Sequence, residues 1–204
     1  IMTDKIDRIY YINLDKRPDR KDLFTSDMMN MELDPIRFSG IPHDEGIVGC
    51  GKSHLAVMKL AKQDNLKNVL ILEDDFTFLI DRTELDKKLS QFFEDFQDDY
   101  DVCMFCCQNL IEHDSKPKSY LSKIKKANNA SAYLINGKYL DKIIELYEYA
   151  LPLLESTGEH WNYANDQVWN QLQEKDRWYV FNPRLGKQRS GYSDNAKRFM
   201  DYDE

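Results

Sequence analysis

The sequence has no run approaching the roughly 18 uninterrupted apolar residues of a membrane span, and no basic-then-apolar segment opens it. A soluble chain is therefore expected. Ile1 ahead of Met2 reads as an addition to a folded unit of residues 2–204. Nor is there a long Lys/Arg run: 28 bases face 36 acids, for a formal charge of −8. That balance excludes simple electrostatic adhesion to nucleic acid or anionic membrane. An anionic substrate would need local compensation, from a basic loop or a bound cation. Cysteines are few, and Cys50, Cys103, Cys106 and Cys107 lack the spacing of a disulfide framework. Reduced thiols and a reducing, cytoplasmic compartment are the expectation. A zinc site from Cys103, Cys106 and His113 is disfavoured, because adjacent strand residues point to opposite faces. No internal repeat or linker divides the chain, so one domain is expected.

The apolar runs alternate between strand-like and helix-like periods, which predicts an α/β layer structure around a mainly parallel sheet. Ile6–Leu14 reads as a first strand, Asp19–Met31 as a helix behind Pro18, and Ile36–Phe38 as a short strand. Residues 40–50 form a loop before a helix over 51–64. Asn68–Leu72 (NVLIL) is the cleanest buried strand. The positions of Leu85, Leu89, Phe92, Phe93 and Phe96 predict another helix, and Tyr100–Cys106 another strand. Lysine-rich 108–126 is expected to be a mobile loop, a lid or a small excursion. Strands at Ser131–Ile135 and Trp178–Phe181 and helices at Lys138–Tyr149 and Asn165–Leu172 complete the core. Residues 182–204 are expected to be irregular.

Gly46–Ser53 (GIVGCGKS) satisfies the phosphate-loop pattern, and VLILEDD follows it, a pair that on its own implies a nucleoside triphosphate-binding kinase or ATPase. Such a loop needs a buried strand feeding its first glycine. Here Ile41-Pro42-His43-Asp44-Glu45 precedes it, with a proline unfit for a central strand and two carboxylates that oppose a triphosphate. Glu73-Asp74-Asp75 is the stronger candidate. It ends a buried strand, where open parallel sheets bind ligands, and Mn²⁺ or Mg²⁺ could join its oxygens to a diphosphate. A solvated charge run is the alternative.

Several segments, in order, resemble glycosyltransferase family 25, which includes lipooligosaccharide and collagen hydroxylysine galactosyltransferases. They are YYINLDKRPDR, Gly51-Lys52-Ser53-His54, VLILEDD and NNASAYLI, spanning about residues 6–136. The resemblance implies a GT-A-type, Rossmann-like domain that moves a hexose, galactose or glucose, from a UDP-sugar to a glycan or to hydroxylysine in a collagen-like chain, with inversion. A catalytically inert relative is the third reading. The resemblance places Asn13, Arg17 and Arg20 in the nucleotide pocket, where the arginine fork suits phosphate. For the two arginines, pairing with Asp15, Asp19 or Asp22 is the alternative. Ser53 and His54 would face the site from a helix start. Asp75 is the first choice for metal ligation, with Asp74 sharing the metal or binding ribose, and Glu73 facing the helix or sheet. Asp166, at the head of a helix, is the candidate base on the acceptor side, with an N-cap role as the alternative. No histidine follows His160 to serve as a late metal ligand; the segment Gln188-Arg189-Ser190-Gly191-Tyr192-Ser193-Asp194 resembles the family's late Gln and Ser-Asp elements, which implies that Gln188, Ser193 or Asp194 closes over the diphosphate. A homodimer is compatible with all of this.

Overall fold

A computed structural model describes residues 4–202, which leaves Ile1 and Met2 outside the described residues. The chain runs β1 (Arg8–Asn13), α1 (Pro18–Asn30), β2 (Ile36–Ser39), α2 (Gly46–Gln63), β3 (Asn68–Glu73), β4 (Phe76–Phe78) and α3 (Arg82–Phe96). Next come β5 (Val102–Met104), β6 (Gln108–Glu112), β7 (Leu121–Asn128), β8 (Ala132–Asn136) and α4 (Leu140–Thr157), the last entered through a 3-10 turn. Two one-turn helices, α5 (His160–Tyr163) and α6 (Asn170–Gln173), precede β9 (Trp178–Phe181). Three short strands end the chain: β10 (Gly186–Gln188), β11 (Gly191–Ser193) and β12 (Arg198–Met200).

Eight strands form one sheet in the order β2-β1-β3-β8-β5-β9-β7-β6. The α/β expectation holds, but the sheet is mixed. β1 pairs in parallel with β2 and β3, and β5 with β9, whereas β8 runs antiparallel to both β3 and β5. β7 and β6 add antiparallel pairs at one edge.

Why β3 reads as a continuous apolar run is plain from its neighbours. Val69 and Ile71 face the core under α2 and α4, while Leu70 and Leu72 face the core under α1 and α3. Both faces are covered, so the period-2 alternation separates two apolar faces instead of an apolar from a polar one. The second core is rich in rings: Phe92 packs on Phe93, Phe96, Tyr100 and Phe181. Truncating Phe92, which is fully buried, would cost about 3–5 kcal/mol.

Three expectations are corrected, and of the readings of residues 108–126 the small excursion holds. α2 begins at Gly46, so the glycines of the phosphate-loop pattern lie in a helix rather than around a ligand. Gly49 is required because the loop crosses close by: a Cβ there would lie 2.6 Å from the Ile41 carbonyl oxygen. The lysine-rich segment contains β6 and β7, a small excursion that extends the sheet; Leu121, Ile124 and Ala127 of β7 are buried between exposed or half-buried lysines. Asp166 lies in a turn between α5 and α6 rather than heading a helix. The tail is not irregular throughout. β10 pairs antiparallel with β4, and β11 with β12. Among the described residues, no helix is long and apolar enough to cross a membrane.

Candidate active site

The alternation along β3 continues past its end and sorts the three acids. Glu73, in phase with Val69 and Ile71, meets α2; Asp74, in phase with Leu70 and Leu72, meets α1. His54 Nε2 lies 2.8 Å from Glu73 Oε1, and the Cys50 thiol 3.7 Å from the same oxygen. On the other side, one Arg20 guanidinium nitrogen lies 2.6 Å from Asp74 Oδ1 and 3.0 Å from Asp75 Oδ2. Asn13, at the end of the neighbouring parallel strand, donates to Asp74 Oδ2 at 2.7 Å. Arg37 of β2 in turn donates to the Asn13 side-chain and backbone oxygens, both at 3.0 Å.

These acids line a cavity of about 590 Å³. Its walls include Lys16, Arg17 and Arg20, the start of α2, Asp166, and residues 192–197 of the closing hairpin. The tail is held there by the β4–β10 pair, which sets Gln188 opposite Phe76. Gln188 donates to Asp75 Oδ2 at 3.3 Å and accepts from Asn129 at 2.9 Å. Only glycine fits at 186, since a Cβ would sit 2.3 Å from the Phe76 ring. Arg17 reaches the hairpin, donating to Asp194 at 2.9 Å as well as to Asp19 at 3.0 Å.

The charges are incompletely balanced. Burial pushes the Asp75 carboxyl up to about 7, Glu73 adds to the shift, and Arg20 opposes it. Burial likewise raises Asp74, against the pull of Arg20 and the Asn13 hydrogen bond. Glu73 differs: burial works against its charge, yet the hydrogen bond and attraction of His54 leave it below its ordinary range. Among the described residues, Asp75 Oδ1 is buried without a hydrogen-bond partner. An acceptor-only oxygen in that condition, beside two further carboxylates, suits a hard divalent cation. The donor set at Asp74 and Asp75, all oxygen, fits Mn²⁺ or Mg²⁺.

The cavity walls thus gather Arg17, Arg20, Ser53, His54, Asp74, Asp75, Asp166, Gln188, Ser193 and Asp194, with Asn13 directly behind Asp74. Some are engaged structurally. Ser53 is buried, donating to the Gly49 carbonyl at 2.7 Å and accepting from the Ile41 backbone N–H at 2.8 Å, so it pins the loop. His54 is fully buried, with its other ring nitrogen 2.8 Å from the Tyr133 hydroxyl. Ser193 accepts from Ala196 N–H at 3.1 Å. Asp166 Oδ2 accepts from Asn129 N–H at 2.7 Å, and burial raises its carboxyl despite that bond. Arg37, Asn129 and Cys50 were not picked out as site residues. Asn129, at φ 89°, belongs to the NNASAY segment and links Asp166 to Gln188, a role that only the fold reveals. Cys103 and Cys106 lie in the apolar core, and no described cysteine is in a disulfide.

The profile of glycosyltransferase family 25 (LPS biosynthesis protein) matches residues 44–157, which include α2 and the three acids. The chain belongs to glycosyltransferase family 25. A viral relative of this family 25 chain, the procollagen lysyl hydroxylase and glycosyltransferase of Acanthamoeba polyphaga mimivirus, is 24% identical over 95% of the chain. The chain spans about a quarter of that relative's length, 26%. Among solved structures, a glycosyltransferase involved in glycosylation of the major capsid of PBCV-1 superposes with a TM-score of 0.51 at 14% identity, covering 85% of this chain and 79% of that one. Mannose-1-phosphate geranyltransferase from Thermus thermophilus gives 0.52 at 9% identity, with 87% and 73% covered. The fold of this family 25 chain is of the GT-A type.

Proposed function

We propose that this glycosyltransferase moves galactose or glucose from a UDP-sugar to an acceptor hydroxyl, on hydroxylysine of a collagen-like chain or on a glycan, with inversion. The observation that carries the reading is the buried Asp75 Oδ1, which has no partner among the described residues, in a cavity that also presents Arg17 and Arg20. In a chain with excess acid, a diphosphate is welcome only where positive charge is concentrated. Asp74 and Asp75 would hold Mn²⁺ or Mg²⁺, which when bound supplies charge stabilisation for the departing diphosphate.

The chain's own residues do the rest. Arg20 is held against the two aspartates and is free to turn to phosphate once they have another counter-charge. Arg17, tied to Asp194, couples the hairpin carrying Ser193 to the nucleotide side of the cavity. Gln188 supplies a carboxamide in the place of a late histidine. Asp166 is the base: its raised carboxyl is closer to working pH than an ordinary aspartate, and its Asn129 bond fixes the carboxylate at the cavity wall. Attack in line on the anomeric carbon, from the face opposite the leaving UDP, gives inversion.

A screen of nucleotide-sugar donors, reading released UDP with and without Mn²⁺, tests this. Turnover of UDP-galactose or UDP-glucose dependent on Mn²⁺ is expected. Turnover of other donors alone would overturn the donor assignment, and ATP turnover without any donor turnover would overturn the reading as a whole.

A further inference from the structure

A second set of donor atoms lines the cavity, distinct from Asp74 and Asp75. Cys50 and His54 are four residues apart on α2, so both project from one face of the helix. Glu73 reaches the same point from β3. Thiol, imidazole and carboxylate offer one ligand atom each, all within 4.8 Å of one another.

The spacing is close to what a tetrahedral ion needs. Bonds of about 2.0 Å to nitrogen and oxygen and about 2.3 Å to sulfur put ligand atoms roughly 3.3–3.6 Å apart. The sulfur-to-oxygen separation is 3.7 Å and the nitrogen-to-oxygen separation 2.8 Å, so a small swing of the Glu73 carboxylate opens the group. The outer shell is in place too. Tyr133 is buried against His54, with its hydroxyl 2.8 Å from Nδ1, and a hydroxyl can accept as readily as donate. That contact is of the kind that fixes the tautomer of a ligating imidazole. All three residues line the cavity, from which water would supply the fourth ligand.

Donor chemistry separates this set from its neighbour. Asp74 and Asp75 offer only hard oxygens, whereas a thiolate with an imidazole and one carboxylate selects a borderline-soft ion. We propose that Cys50, His54 and Glu73 bind one zinc-class divalent cation, with cavity water as the fourth ligand. On binding, the Cys50 proton passes to solvent and sulfur ligates as thiolate. The proposal does not rest on the donor or acceptor assignment above.

The test uses the purified chain without nucleotide. Equilibrium dialysis against Zn²⁺ in excess Mg²⁺ should leave one zinc per chain. Co²⁺ in its place should give a thiolate-to-metal charge-transfer band in the near ultraviolet and the intense visible bands of a tetrahedral ion. Cys50→Ser should lose the near-ultraviolet band, Cys107→Ser should keep it, and Tyr133→Phe should weaken zinc binding by about tenfold or more. A wild-type chain without the cobalt–thiolate band would overturn the proposal, whatever the variants do. So would a band that persists unchanged in Cys50→Ser.

Discussion

Asn13 donates its side-chain amide to Asp74 at 2.7 Å, tying the carboxyl ends of two parallel strands together where the cavity begins. Because Arg37 donates to the same asparagine, removal of the side chain takes one hydrogen bond from the buried Asp74 carboxylate and one from the half-buried Arg37. Asn13→Ala should destabilise the chain by about 1–3 kcal/mol. By contrast, loss of the exposed Arg8–Asp64 pair in Asp64→Ala should cost less than about 1 kcal/mol. Urea unfolding of both variants measures the difference; equal losses would show that Asn13 is not the pin.

Asp75 makes stability depend on pH in a defined direction. Its carboxyl sits at about 7 in the folded chain against 3.8 ordinarily. Between those values the folded state holds a proton that the unfolded state has released, so stability falls as pH rises through that window. Asp75→Asn removes the buried charge. In chelator, it should melt above wild type at pH 8, with the gap closing toward pH 5. A gap independent of pH would refute the burial of charge at Asp75.

Lys52 distinguishes the helix from a phosphate loop. Its ammonium lies 3.4 Å from Glu155 at the surface, away from the three acids. Lys52→Ala should leave donor turnover within about twofold of wild type and change stability by less than about 1 kcal/mol. Loss of activity in that variant would favour the triphosphate-binding alternative.

Asp166→Asn keeps the acceptor for the Asn129 N–H but cannot take a proton. Transfer to acceptor should fall by roughly 10²–10⁴-fold in kcat, with donor KM little changed. A large rise in donor KM with kcat intact would instead make Asp166 a donor-binding residue.

Much of the site was legible because it follows from period and position. NVLIL had to be a covered strand, and acids at its end had to lie at the sheet's ligand-binding edge. The start of α2 was hidden, since Gly46 and Gly49 read as loop when considered alone. Their small size serves close packing instead: Gly51 lies against Leu151 of α4 as Gly49 lies against the loop. The β6–β7 hairpin was masked by its lysines, although Leu121, Ile124 and Ala127 keep an apolar face beneath them. The roles of Arg37, Asn129 and Cys50 depend on strand register and on contacts made 23 to 59 residues apart, which no local pattern encodes.

Cation-dependent nucleotide binding at Asp75 is the centre of the account, and titration calorimetry of UDP with wild type and Asp75→Ala, each with and without Mn²⁺, tests it most directly. Wild type should bind UDP far more tightly when Mn²⁺ is present, and Asp75→Ala should lose that enhancement along with at least about a hundredfold of UDP-sugar hydrolysis. UDP binding that is equally tight in all four experiments would contradict it.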